Sequence, residues 1–258
     1  MVSYFWNALA ETAVVWACPS ATVSATDAPN ARASVENCYK NASDSNSYQV
    51  RNVTLHIVSR HLFAFQKHFK DVHKVEYNYF WADTFLGMSS TEFEEFCEMY
   101  EDIKLPFWMQ TRPETINDYN MKKLKAVGLH RISFGLEHGN EEFRKNILDR
   151  RWKNKDIIDK LKIPKKYDIS FSVNNITGFP TETKKLAFDT IEINREIDAD
   201  NANIYAFVPF HGTPLRKMCE NMGLIKHEVI TKCLTAESQL NMPQYPPHEI
   251  EEIKKCFT

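Results

Sequence analysis

From residue 51 onward, short runs rich in β-branched and aromatic residues alternate with stretches of helical periodicity. That alternation restricts the chain to βα units feeding a parallel sheet. The runs VEYNYFW (75–81), PFWMQT (106–111), HRISFGL (130–136), DISFSVN (168–174) and NIYAFVPF (203–210) predict strands, with TAVVWA (12–17) as a further strand at the front. Between them lie amphipathic patterns with recognisable ends. Ser89 or Ser90 caps 91–103, with a glutamate in the first turn, and Pro113 opens 113–127, which Gly128 closes. Further helices are expected over 53–70, 140–161, 182–197 and 216–222, with a charged closing helix from 247. Such a series fits either a doubly wound sheet or an incomplete barrel, and sequence order alone does not choose. In both, ligands sit at the carboxyl ends of the strands, so the residues after each strand are where chemistry is to be sought.

The 258 residues, 43% apolar and 26% charged, suffice for one large core or two small ones and exclude a disordered tail protein. Lys plus Arg number 32 against 34 Asp plus Glu. The net charge of −2 therefore gives no electrostatic reason to expect a nucleic-acid or anionic-membrane partner. No apolar run is long enough to span a bilayer. Val23-Ser24-Ala25 resembles a leader-cleavage site, but Glu11 interrupts the apolar stretch before it and no basic leader precedes it. The six cysteines (18, 38, 97, 219, 233 and 256) form no CxxC pair, so reduced thiols and a cytoplasmic location are expected. Cys97, Cys219, Cys233 and Cys256 fall in helical patterns and read as small apolar residues. The domain reading is an irregular segment over 1–50, a barrel over 51–225 and a helical, truncated extension over 226–258.

The strand ends carry a polar rim: Cys18-Pro19, Asp83-Thr84, Arg112, Glu137 between Gly135 and Gly139, Asn174 to Gly178, and Pro209 to Pro214. Each has a purely structural alternative. Asp83 and Thr84 are common turn caps, and Arg112 can pair with a helix carboxylate on the surface. Glu137 is harder to dismiss, because it follows the apolar run ISFGL and a carboxylate there needs a partner. The flanking glycines would let a ligand or another backbone approach. In NNITGFPTET, Thr181 or Thr183 can cap the next helix, with Glu182 in its first turn.

Taken in order, YFWADTF, WMQTRPET, LKAVGLHRISFGLEHGNEEFRKNIL, NNITGFPTET and AFVPFHGTPL resemble the radical S-adenosylmethionine (SAM) superfamily over about residues 75–216, most closely its cobalamin-associated branch. The resemblance implies a partial (βα)6 TIM-like barrel, α/β in class with parallel strands, holding SAM and an iron–sulfur (4Fe–4S) cluster at the strand ends. It also implies an electron donor and a substrate that the sequence does not identify. By the same resemblance Asp83-Thr84 meets the methionine amino group and Arg112 pairs with its carboxylate. Ser133 and Glu137 line the methionine and ribose, Asn174 to Gly178 pass the adenine, and Pro209 to Gly212 close the pocket edge.

The family's cluster needs thiolates spaced CxxxCxxC after the first strand, because soft sulfur ligands hold such a cluster. Here the loop reads Cys18, then Thr22 and Ala25 at the second and third ligand positions. Alanine has no donor atom, and a threonine hydroxyl is a hard, protonated oxygen. Cys18 is the one metal-ligand candidate, and nothing before residue 75 resembles a cobalamin domain. Three readings remain open: a radical enzyme whose first 50 residues are divergent or misread, a non-catalytic SAM-binding relative, and a truncated fragment.

Overall fold

The structure, a computed structural model, describes residues 63–64, 66–233 and 235–257. The expected strand over 12–17, the loop bearing Cys18, Thr22 and Ala25, and most of the expected helix over 53–70 lie outside the described residues. Along the chain the elements are β1 (Asn78–Phe80), α1 (Ser90–Glu101), β2 (Phe107–Thr111), α2 (Asp118–Val127), β3 (Leu129–Glu137) and α3 (Glu141–Leu148). They continue with α4 (Asn154–Lys166), β4 (Ser170–Thr177), α5 (Lys184–Ile197), β5 (Asn201–Ala206), α6 (Pro214–Asn221) and α7 (Pro247–Lys254). Strands alternate with helices and pair in parallel, which is the expected α/β class.

The chain divides into two compact units, the first ending at Met109 and adding Lys122–His130, the second comprising Gln110–Met121 and Arg131 onward. In the first, β1 pairs with β2 through Tyr79↔Trp108, so Phe80, Phe107 and Met109 share the buried face. Packed on that face are Phe85 and the α1 residues Phe96 and Tyr100, with ring centroids 5.0 to 5.7 Å apart for the pairs Phe85–Phe96, Phe80–Phe96 and Tyr100–Phe107. Full burial of such a ring contributes about 1.5–3 kcal/mol. The Tyr100 hydroxyl is matched within this core, donating to Leu105 O at 3.0 Å and accepting from Asn78 Nδ2 at 2.8 Å, while Asn78 Oδ1 is buried without a partner. A capping box at Ser89 and Glu92 starts α1, which decides for Ser89 between the two serines the sequence offers as caps.

In the second unit, β4 is flanked by β3 and β5, with Ser133↔Ser172, Gly135↔Asn174 and Asn174↔Asn203 as register partners. Alternation then gives the sheet two unlike faces. Ile132, Phe134, Phe171 and Val173 are buried on one, with Phe134 and Phe171 in edge contact at 5.7 Å. On that side Asn175 and Asn194 of α5 exchange amide hydrogen bonds of 2.9 and 3.2 Å. The other face is polar.

Several expectations are corrected. The helix expected over 140–161 is two, α3 and α4, because Asp149 takes a left-handed conformation (φ 49°) that ends α3. Pro113 opens only a short 3-10 turn. Helix α2 begins later, at Asp118, beside the reciprocal bonds of 2.9 Å between the backbone nitrogens and side-chain oxygens of Asn117 and Asn120. Strand β5 starts and stops earlier than 203–210, and Pro209 lies beyond its end. Cys97 and Cys219 are buried helix residues as expected, whereas Cys233 and Cys256 are exposed and lie outside α-helices. Residues 226–246 contain neither helix nor strand among the described residues.

Candidate functional site

The polar face of the second unit is built by register. Ser133 and Ser172 stand opposite each other, their hydroxyls 2.9 Å apart, and Asn203 Nδ2 donates to Asn174 Oδ1 at 3.0 Å. Gly135 stands opposite Asn174, and a side chain there would point onto this face. The vacancy is filled by Glu137, two residues on, where the register shifts and the backbone turns left-handed (φ 71°). The Glu137 carboxylate folds back so far that a Cβ on Gly135 would lie 2.6 Å from its Oε1. Any residue other than glycine at 135 would push the carboxylate off the face. The glycine therefore serves the protein's own carboxylate. Gly139 serves its own backbone, since a Cβ there would lie 2.1 Å from Asp189 O in α5.

Arg150 partners the Glu137 carboxylate, with Nη2 3.1 Å from Oε1 while Nη1 donates to Gly135 O at 3.0 Å. Burial raises the Glu137 carboxyl above its ordinary range, and the positive charges of Arg150 and then Arg112 oppose that shift. The Glu137 side chain is 20% exposed and so remains within reach of a ligand. Its partner had no usable sequence signal, because Asp149-Arg150-Arg151 reads as a solvated charge run.

Behind this face the turns are braced by two buried groups. Arg144 donates to His138 O (2.7 Å) and Gly139 O (3.1 Å) on one side, and to Trp152 O (2.9 Å) and Asn154 Oδ1 (2.6 Å) on the other. It thereby fixes the loop that carries Arg150. His138 and Glu182 have wholly buried side chains and meet at 3.1 Å. The sequence placed Glu182 in the first turn of the following helix. Thr183 is instead the cap of α5, accepting from Leu186 N, and Glu182 precedes it, turned inward. The Glu182 Oε2 accepts from Gly178 N at 2.6 Å and Phe179 N at 2.9 Å, a carboxylate's usual response to a turn with two unpaired N–H groups.

Within the second unit, Ser133, Glu137, Asn174 and Gly178 are placed by the paired strands β3 and β4 and the turn after them. Arg112 is exposed, carries a long 4.0 Å pair to Glu114 and acts on Glu137 through charge. Pro209 is buried and its carbonyl accepts from Arg216 Nη1 at 3.0 Å. In the first unit Asp83 is exposed, and Thr84 precedes a short 3-10 turn without a side-chain capping bond. Among the described residues no group of three His, Cys, Asp or Glu could hold a metal ion, and no helix is long and apolar enough to cross a membrane.

The described thiols do not fit a cluster site. Cys97 and Cys219 are buried in α1 and α6, where burial pushes both up to about 11, far from the thiolate that a metal requires. Cys18, which lies outside the described residues, has no cysteine at the second and third ligand positions of its own loop.

Comparison with known proteins agrees with this fold. The profile of the radical SAM superfamily matches residues 65–192. Over 139 residues the chain is 30% identical to the tRNA-2-methylthio-N(6)-dimethylallyladenosine synthase of Halalkalibacterium halodurans, covering 51% of this chain and 25% of that protein. Coproporphyrinogen III oxidase of Escherichia coli, a radical SAM enzyme, superimposes with a TM-score of 0.54 at 15% identity, over 76% of this chain and 44% of the other. The radical SAM methyltransferase TsrM of Kitasatospora setae, solved with cobalamin and a 4Fe–4S cluster, gives 0.50 at 13% identity, over 64% and 31%. The chain thus spans well under half the length of these proteins. The oxidase superposition carries the partial-barrel fold, and residues 65–192 carry a radical SAM superfamily domain.

Proposed function

We propose that the polar face of the second unit is a SAM site and that reductive SAM cleavage, the family's reaction class, is impaired in this chain as its sequence stands. The observation that carries the first half is the Glu137 carboxylate, folded into the space of Gly135 beside Asn174. A carboxylate there accepts from ribose hydroxyls or an ammonium group, while Asn174 spends its oxygen on Asn203 and keeps its amide nitrogen for a ligand. Ser133 and Ser172 supply further small polar contacts, and Arg112, exposed on the same unit, is the cation available to a carboxylate. Pro209 stands at the far edge of the same unit.

The donor set supports the second half. When bound, a cluster would supply the electron that opens the sulfonium, but Cys18 followed by Thr22 and Ala25 does not provide three thiolates. The same pattern favours a second reading, a SAM-binding relative that does not turn over. We place the chain beside the cobalamin-associated branch on its likeness to TsrM, without assigning it cobalamin, and in the cytoplasm on its thiol content and balanced charge. Its substrate is unassigned, and any turnover would need an external electron donor.

Calorimetric titration with SAM tests the site: saturable binding to the native chain that is lost in Glu137→Ala supports it, and no detectable heat in the native chain ends it. Anaerobic reconstitution with iron and sulfide tests the impairment. Well under one cluster per chain is expected, and a brown chromophore with about four irons would overturn it.

A further inference from the structure

One heavily bonded titratable pair in the second unit is not on the polar face at all. Glu182 and His138 are wholly buried behind it, joining the residue after β3 to the turn after β4. The His138 Nδ1 faces Asn140 N at 3.0 Å and must accept from it, so the ring proton sits on Nε2 and is donated to Glu182 Oε1. Oε1 also accepts from Thr177 Oγ1 at 3.3 Å, and that hydroxyl in turn lies 2.9 Å from the Tyr245 hydroxyl. Oε2 is committed to Gly178 N and Phe179 N. The ring of His138 lies against Phe143 at 4.3 Å, which fixes its plane. Only glycine fits at 178, because its φ of 82° is left-handed and a Cβ would come 2.9 Å from Ile250 Cδ1.

We propose that Glu182, oriented by His138, is a positioning residue that locks the Gly178–Phe179 turn, the buried turn that ends β4, into the one geometry in which the strand ends admit an adenine-bearing ligand. The inference rests on the SAM reading above. It goes beyond that reading by assigning the affinity of the site to two side chains that cannot touch the ligand. The bonding pattern makes the lock specific. In Glu182→Gln the amide can offer its oxygen to the two backbone N–H groups or to His138, and its nitrogen then faces donors on the other side. His138 cannot adapt, because its second nitrogen is held by Asn140 N. His138→Phe removes the orienting donor, whereas His138→Gln restores both a donor toward Glu182 and an acceptor toward Asn140 N.

The test is hydrogen exchange of the Gly178 and Phe179 amides in the full ligand-free chain, read beside SAM titration of the same samples. Exchange at these two amides should quicken about tenfold or more in Glu182→Gln and in His138→Phe, with β4 amides within 171–176 unchanged, and return to within about threefold of native in His138→Gln. The SAM dissociation constant should follow the same order. Should Glu182→Gln fail to fold, the two His138 variants decide the matter by themselves. Unaltered exchange at 178 and 179, acceleration spread evenly over β4, or no recovery in His138→Gln would each overturn the lock. A native chain that does not bind SAM defeats the ligand reading while the exchange measurement still judges the lock.

Discussion

The two compact units solve the problem of filling a βα repeat in opposite ways. The first is closed by rings: Phe80, Phe85, Phe96, Tyr100 and Phe107 pack against one another, and the Tyr100 hydroxyl among them is bonded locally. The second places its demanding groups, Arg144, His138 and Glu182, behind the strand ends, where each bonds to the backbone of the turns. Loss of a ring costs its transfer energy plus the cavity it leaves behind. A buried polar network fails as a unit, because removing one member strands the rest. Stability thus resides mainly in the first kind of region, and definition of the site in the second.

The largest effect expected from this contrast is in the aromatic region. Phe107→Ala should cost about 3–5 kcal/mol in denaturant unfolding, without altering SAM affinity in the fraction that remains folded. Next comes Arg144→Met, which strands the carbonyls of His138 and Trp152 and releases the loop bearing Arg150. About 2–4 kcal/mol is expected to be lost, together with SAM binding. An Arg144→Met chain that binds SAM as tightly as the native one would dissolve the distinction between the regions. Gly135→Ala should cost less, about 1–3 kcal/mol, yet should weaken SAM at least as much as Arg144→Met, because it displaces the Glu137 carboxylate directly. Equal affinity in Gly135→Ala and native protein would remove Glu137 from the site.

These contrasts also explain which features the sequence disclosed. Strand and helix order, the Ser89 capping box, the buried helix thiols and the isolation of Glu137 in an apolar run were legible, because each depends on residues close in sequence. The partners were not. Arg150 reaches Glu137 only because Asp149 turns left-handed and breaks what periodicity reads as one helix, and that break depends on Arg144 holding Trp152. Glu182 resembled a first-turn carboxylate, since nothing local reveals that Thr183 takes the cap and turns it toward His138, 44 residues away. The glycines at 135 and 139 signalled close approach correctly, but the approaching groups are Glu137 and the α5 backbone.

The smallest effect is a titration, and it sharpens the comparison within the polar region itself. Burial raises Glu137, while the charges of Arg150 and Arg112 hold it down. A carboxyl raised on folding binds more protons in the native than in the unfolded chain between its two values, so its contribution to stability declines as pH rises from the ordinary carboxylate range through the raised one. Acidification across that window relieves the cost. Arg150→Gln removes the larger opposing charge, so the Glu137 titration, followed by carbon-13 NMR of the side-chain carboxyl, should move further up. Gly135→Ala, by expelling the carboxylate toward water, should move it down toward the ordinary range. A downward move in Arg150→Gln would mean that desolvation does not govern this carboxyl. The polar face would then be too wet to distinguish a ribose hydroxyl from solvent, and Glu137 would lose its claim to recognise one.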